Sequence, residues 1–299
     1  MIHKTCSAPL VSPRIDFGYW MDEIRRRALS PDGGFVKTAS RVARMFDHKN
    51  WLLSHSTIIS GVQTEKGDNE KAKFQDHYVH PATRQFVNSN NDCWANGTLT
   101  NSYRTFVGAD VYAEHVAVPA LSKGKILDAV LREIEIRKRP RIVTNYIDIL
   151  VATNRKFGAL VEDVESGRVT GMSMGASLAF TVCTRCGHAA HDEAGLCRHI
   201  LHEKGDWFID PRGTKRIIAE LCGHPTERNS CVFIEASWVR TPAFKGAIVR
   251  ANLDVADKAA GEAFNKRIEY AHKVADLRKM ITGIVGGVQK AASREAFLR

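Results

Sequence analysis

The 299-residue chain has no run of eighteen apolar residues, so no membrane-spanning helix is expected. Its opening stretch, MIHKTCSAPLVSPRIDFGYW, lacks the apolar core of a secretory leader, which points to a cytosolic protein. Cysteine is scarce and odd in number at seven. In a cytosolic chain that disfavours a disulfide framework and leaves reduced thiols or metal ligands. Internal repeats and low-complexity tracts are absent as well. What is present is ordinary for a globular protein, with 44% hydrophobic and 25% charged residues. Acid is the minority charge: 43 Lys and Arg face 33 Asp and Glu, a net +10 that favours acidic partners. The densest basic run, REIEIRKRPR (132–141), contains two glutamates and no aromatic residue. It therefore reads as a solvated helix end before a turn at Pro140 rather than a nucleic-acid patch.

Periodicity divides the chain into regions. Residues 1–100 read as a helical and loop extension, with helical spacing in GYWMDEIRRRAL and FVKTASRVARMF and loops in EKGDNEKAKFQD and NSNNDCWANGT. From about 103 the pattern tightens. YRTFVGADVYAEHVAV alternates like strands around a turn at 108–110. SKGKILDAVLREIEI places Ile126, Leu127, Val130, Leu131 and Ile134 on one helical face. RIVTNYIDILVAT reads as a strand, and RKFGALVEDVESG as a helix closed by Gly167. RVTGMSMGASLAFTV and CVFIEASWVRTPAFKGAIV read as strands, the latter halted at Thr241-Pro242. From 254 an amphipathic helix carries Phe264, Ile268, Ala271, Leu277 and Ile281.

Gly171-Met172-Ser173-Met174-Gly175 spells G-x-S-x-G, the nucleophile elbow of α/β-hydrolases. An elbow needs a strand before the serine and a helix after it. Here a helix precedes Ser173 and a strand follows. The elbow reading, and with it an esterase-like hydrolase, fails on context. Ser173 remains either a nucleophile on another fold or a serine packed in a glycine-spaced strand.

Three stretches, taken together, decide between these. LVEDVESGRVTGMSMGASLAF sets a helix and then a strand around Ser173. FIEASWVRTPAFKGA brings Glu235, Ser237, Val239, Pro242, Ala243 and Ala247 into one pattern, and VYAEHVAVP ends a strand at His115. In this order they resemble the tailed-phage prohead (head maturation) serine proteases, relatives in fold of the herpesvirus assemblin. Met172 and Met174 stand where that family usually has Leu and Ile. The resemblance covers roughly residues 103–250 and leaves the N-terminal hundred residues and the C-terminal helix unsupported.

The resemblance implies an α+β fold. Its core would be a small antiparallel β-barrel-like protease unit at 101–252, flanked by helices and followed by a C-terminal helix at 253–299. It implies a Ser-His-acid endopeptidase that processes scaffold and capsid proteins, and itself, inside the assembling prohead in the host cytoplasm. Self-association within the prohead is implied too; a membrane partner is not, and nucleic acid is not favoured. Ser173 would attack the peptide carbonyl, which needs a neutral imidazole in reach to take its proton. His115 would be that base, returning the proton to the leaving amine. Glu235 would hold the imidazole tautomer and stabilise the imidazolium. Asp148 is an alternative acid, and His80, in YVHPAT, a rival base.

CTRCGHAAHDEAGLCRH gives Cys183-x2-Cys186-x10-Cys197-x-His199. A C-x-x-C turn presents two thiolates to one ion, and Cys197 with His199 would complete a tetrahedral site suited to zinc. His191, His202, Cys222 and His224 compete for the fourth position. No H-E-x-x-H accompanies the cluster, so a closed, structural site is expected. The prohead-protease core lacks such a module, which makes 181–226 an insertion. A second hypothesis follows: a catalytically inactive, zinc-bearing capsid-assembly or nucleic-acid-binding protein.

Overall fold

Strands dominate the computed structural model, which describes residues 2–3 and 49–252. Two residues, Ile2–His3, form β1, and Trp51–Ser60 form β2, a ten-residue strand with both faces largely buried. A short hairpin, β3 (Thr64–Lys66) and β4 (Asp76–Val79), leads to β5 (Asp92–Cys93) and helix α1 (Asn96–Ser102). β6 (Asp110–Ala113) is followed by a long hairpin of β7 (Gly124–Lys138) and β8 (Arg141–Asn154). Helix α2 (Gly158–Glu165) precedes β9 (Gly171–Leu178). Small elements come next: β10 (Thr181–Cys183), β11 (Ala189–Ala190), α3 (Arg198–His202), β12 (Trp207–Ile209), β13 (Lys215–Ile217) and β14 (Glu220–Cys222). β15 (Cys231–Val239) and β16 (Val249–Asn252) complete the described chain.

The main sheet has eight strands in the order β1-β9-β15-β6-β7-β8-β2-β16. Only the β15–β6 pair is parallel; every other ladder in it is antiparallel. The two ends of this order approach each other through an isolated Gly171–Ile248 bridge. Met172 N–H donates to Ala247 O at 2.8 Å and Val249 N–H to Thr170 O at 2.9 Å. The architecture is therefore mixed α+β and mostly strand, a curled sheet rather than a closed barrel. Inside the curl lies one core in which Phe106 and Phe233 stack at 4.3 Å between centroids and Trp238 is fully covered. Trp238 keeps its indole N–H satisfied by donating to Thr153 Oγ1 at 3.0 Å. A second sheet, β11-β10-β14-β5, carries its own core around Phe74, Phe180 and Leu221. Among the described residues no helix is long and apolar enough to cross a membrane.

Several expectations change here. SKGKILDAVLREIEI is not a helix but most of β7. Its first seven strand residues are all buried, so apolar side chains sit on consecutive positions and imitate a helical face. Beyond them, Glu133-Ile134-Glu135-Ile136 alternates with the period of a strand. The basic run at 132–141 is thus the tip of the β7–β8 hairpin, turning at Arg139-Pro140 as expected. Residues 51–100 are not merely loops: β2 pairs with β8 and β16, so a ten-residue strand of the main sheet lies before the expected boundary at 101. Likewise, β5 pairs with β14, which ties residues 92–93 to the stretch expected as an insertion at 181–226. The first part of YRTFVGADVYAEHVAV is a 3-10 turn, Tyr103–Phe106, rather than strand. The expected N-terminal helices and the 253–299 helix lie outside the described residues.

Candidate active site and metal centre

The strand–turn–helix context of an elbow is absent: α2 ends at Ser166 and Gly167, the latter at φ +75°, and Ser173 lies inside β9. β9 pairs antiparallel with β15, and Ser173 sits directly opposite Ser237, so the two share a face. A β-bulge between Phe233 and Glu235 gives β15 an extra residue, Ile234, and changes its parity. Cys231 and Phe233 before the bulge and Ala236 and Trp238 after it all enter the core. Without the bulge, Glu235 would share the face of Phe233. With it, Glu235 falls opposite Gly175 on the face of Ser173 and Ser237.

His115 reaches this face from the turn after β6. Glu114 and His115 adopt φ of +48° and +59°, the left-handed region that non-glycine residues enter at a cost of about 1–3 kcal/mol each. The turn is pinned on β15: Glu114 N–H donates to Trp238 O at 2.9 Å, and Glu114 Oε1 accepts from Arg240 N–H at 3.2 Å. This conformation sets His115 Nδ1 3.1 Å from Glu235 Oε1. Glu235 is 3% exposed, and its other oxygen accepts from Ser237 Oγ at 2.7 Å. Ser237 stood in the sequence pattern without a role; the register gives it one, as the second anchor of the Glu235 carboxylate. His115 and Ser173 line one cavity of about 280 Å³, walled by Ile58, Trp94, Met174 and Phe244. Asp92 and Lys204 line it too. No local motif signalled these two, because they come from β5 and from the cysteine-rich stretch.

The rivals are committed elsewhere. His80 Nδ1 accepts from Ala82 N–H at 3.1 Å, capping a 3-10 turn, and its Nε2 lies 3.4 Å from Glu65. Asp148 binds Thr57 Oγ1 at 2.7 Å, Arg132 Nε at 2.9 Å and His55 Nε2 at 3.1 Å. The glycine at 171 has a packing reason rather than a substrate one. A Cβ there would stand 2.6 Å from Val239 O and 2.7 Å from Pro242 Cδ, which closes the end of β15 onto β9.

Ligand atoms of Cys183, Cys186, Cys197 and His199 all lie within 4.8 Å of one another. Cys186 and Cys197 sulfurs are 3.7 Å apart, near the roughly 3.8 Å expected for two thiolates each about 2.3 Å from a tetrahedral ion. Gly187, at φ +70°, turns the knuckle; a Cβ there would meet Ala72 Cβ at 2.6 Å and Phe74 O at 2.9 Å. Cys197 caps α3, which presents His199. Contact among the thiols splits their acidities: hydrogen bonds from Cys183 and Cys186 hold Cys197 far below the ordinary thiol, while Cys183 is pushed far above it. A divalent cation would stabilise the thiolates of all three cysteines. This Cys3His group can hold a metal ion. The competing ligands are placed apart from it: His191 Nδ1 lies 3.2 Å from Ala179 O. His224 stacks on Phe74, with Nδ1 2.9 Å from Thr226 Oγ1. Cys222 is buried in β14, and His202 ends α3 outside the group.

Comparison of the chain with protein-family models, with curated proteins and with solved structures finds no match.

Proposed function

We propose that the chain is a serine endopeptidase of the prohead-maturation type, with Ser173 as nucleophile, His115 as general base and Glu235 as the orienting acid. The observation that carries this reading is the 3.1 Å contact of His115 Nδ1 with Glu235, made by a strained turn whose ring opens on the same cavity as Ser173. With Nδ1 held by the carboxylate, Nε2 would be the nitrogen that takes the Ser173 proton. Attack on a peptide carbonyl then forms an acyl-enzyme, and the imidazolium protonates the departing amine. The resemblance supplies the substrate class: capsid and scaffold proteins, and the chain's own termini, cleaved inside the assembling prohead in the host cytoplasm. The Cys3His group suits zinc, whose preference for soft thiolate and imidazole ligands in a closed tetrahedron matches the donor set. When bound, the ion would cross-link α3 to the β10 knuckle.

The test uses Ser173→Ala. The variant is expected to keep the wild-type denaturation profile yet leave co-expressed capsid and scaffold proteins uncut, while the wild type alone is labelled at Ser173 by a fluorophosphonate. Processing by Ser173→Ala refutes the assignment. An unlabelled, inactive wild type that binds DNA in a salt-dependent way supports the non-enzymatic assembly or nucleic-acid-binding reading instead.

A further inference from the structure

The basic run at the tip of the β7–β8 hairpin has no aromatic residue of its own, but the fold brings one toward it. Arg137 pairs with Ile142 across the hairpin. The next residue, Val143, donates its N–H to Gln63 Oε1 at 3.3 Å, and Gln63 O accepts from His80 N–H at 2.8 Å. Gln63 thus ties the base of the tip to the 3-10 turn Pro81–Phe86, whose Arg84 lies over the indole of Trp207, Cζ 4.6 Å from the ring centroid. On the β12–β13 hairpin Trp207 is paired with Ile217, so Lys215, two residues back, shares its face, and Lys215 Nζ stands 4.7 Å from the same ring. Trp207 is 45% exposed and Ile209, on that face too, 64%, so the face is turned to solvent. The glutamates of the run and the carboxylates behind the hairpin are already matched. Glu133 and Glu135 bind Arg141 at 2.6 and 3.4 Å, and Glu65 and Asp210 bind the buried Arg216 at 2.7 and 2.9 Å. Arg84, Arg137, Lys138, Arg139 and Lys215 are exposed and make no ion pair with any described residue. Asp206, beside Trp207 in the chain, is the exposed acid that opposes them.

We propose that Trp207, Arg84, Lys215 and the hairpin tip of Arg137, Lys138 and Arg139 bind single-stranded nucleic acid, phosphates on the cations and one base on the indole; the proposal does not rest on the protease reading. A single strand offers a phosphate at every nucleotide and an open π-face on every base, and cations interleaved with an aromatic ring meet both. No stretch of the sequence contains that interleaving, because Arg84 and Trp207 come from separate elements and the tip from a third. A guanidinium stacks on a base as it does on an indole, so a base can extend the Arg84–Trp207 stack rather than break it. The chain's net charge of +10 adds a long-range attraction for the same partner. A duplex hides its base faces and would use the cations alone. An acidic peptide would satisfy the cations too, but it brings no planar face to Trp207.

The experiment measures the anisotropy of fluorescein-labelled oligothymidylate and oligouridylate, each of about twenty nucleotides, on the full-length protein across a salt series. Binding is expected to weaken as salt rises and to be tighter than that of a duplex of the same length. Trp207→Ala should weaken it about tenfold, as loss of one base stack does, and Trp207→Phe should restore most of that. Combining Arg84→Ala with Lys215→Ala should reduce the slope of log K against log salt by about 1.4, at about 0.7 for each phosphate contact. A wild type that binds neither strand overturns the proposal. So does binding that is unchanged in both Trp207→Ala and the double variant, or a duplex bound as tightly as the single strand. Competition by polyglutamate as effective as by oligonucleotide overturns it in favour of an acidic protein partner. If Trp207→Ala fails to fold, the double variant and the duplex comparison decide. A wild type that binds the strand but is not labelled at Ser173 by fluorophosphonate upholds this proposal and refutes the protease reading alone.

Discussion

Replacing Glu235 by Gln separates what its carboxylate does for the fold from what it does for the chemistry. The wild-type group accepts two hydrogen bonds, from Ser237 Oγ at 2.7 Å and from His115 Nδ1 at 3.1 Å, in a nearly buried position. Hydrogen bonds to a charged group contribute about 1.5–3 kcal/mol each. Gln has one acceptor and one donor end, so only one arrangement keeps both contacts. The amide oxygen must face His115, and the NH2 must face the Ser237 hydroxyl, which can rotate to accept. The geometry survives while the charge is lost, and a stability decrease of about 1–3 kcal/mol is expected, with an unchanged m-value. Chemistry suffers more. Without the carboxylate, the imidazolium loses the charge that Glu235 supplied, and the opposite amide orientation selects the tautomer with the proton on Nε2, which cannot act as base. The acylation rate at Ser173 is expected to fall by about 10²–10⁴, the range general-base catalysis contributes. Glu235→Ala should destabilise more than Gln, because two buried donors then lose their acceptor. The assay pairs urea denaturation with the rate of fluorophosphonate labelling. Wild-type labelling by a folded Glu235→Gln protein would refute the orienting role, and a neutral Glu235→Ala would refute the contact itself.

Two further expectations follow from the charged groups. The protein should bind one equivalent of zinc through the Cys3His group, and Cys197→Ser or chelation should abolish it; a loss of about 4 kcal/mol would lower Tm by roughly 10 °C at this size. No zinc in the purified protein and no chelator response would refute the site. Stability should also fall in mild acid. Burial holds His224 and His80 below their ordinary pKa, so the unfolded chain takes their protons first as pH drops through about 6.5. The stability present above that pH is then lost until the folded pKa values are reached, with a slope of at most about 1.4 kcal/mol per pH unit for each histidine. Denaturant midpoints at pH 7.5 and 5.5 check this, and His224→Gln should reduce the difference. An unchanged difference in that variant would count against the buried-imidazole account.

The helix before Ser173 and the strand after it were legible because α2 is amphipathic and closed by Gly167, whereas β9 alternates among small residues. β15 was legible as a strand for the same reason, and Pro242 marks its end. β7 was misread because a strand covered on both faces loses its two-residue period over Gly124–Val130, and length alone then favours a helix. β2 was missed because Ser54, Ser56, Thr57 and Ser60 are all buried, and no hydropathy count rewards the side-chain hydrogen bonds that Ser54, Thr57 and Ser60 make there. The three cysteines of the metal knuckle were legible because they are local in sequence, whereas the choice of His199 over its rivals needed the fold. The Asp92–Lys204 contact on the cavity wall was not: the two residues are 112 positions apart in sequence.

Two local irregularities carry the candidate site, and both oppose the regular course of the chain. A strand without the bulge at Ile234 would send Glu235 toward Phe106 and Phe233, where an unpaired carboxylate would cost several kcal/mol. A β6 that continued in extended conformation through residues 114 and 115 would avoid the left-handed strain, and a histidine that served only packing would gain nothing from that strain. The turn is instead held against relaxation by Trp238 O, in the strand that carries Glu235, and by the Arg240 N–H just past its end. One strand therefore aims the acid and fixes the turn that aims the imidazole. Their relative geometry is set where β6 and its turn meet β15. Ser173 is placed by the neighbouring ladder of the same strand, through its pairing with Ser237. Variants that shift β15, such as deletion of Ile234, should for that reason uncouple all three residues at once, where variants elsewhere in the sheet would alter stability first.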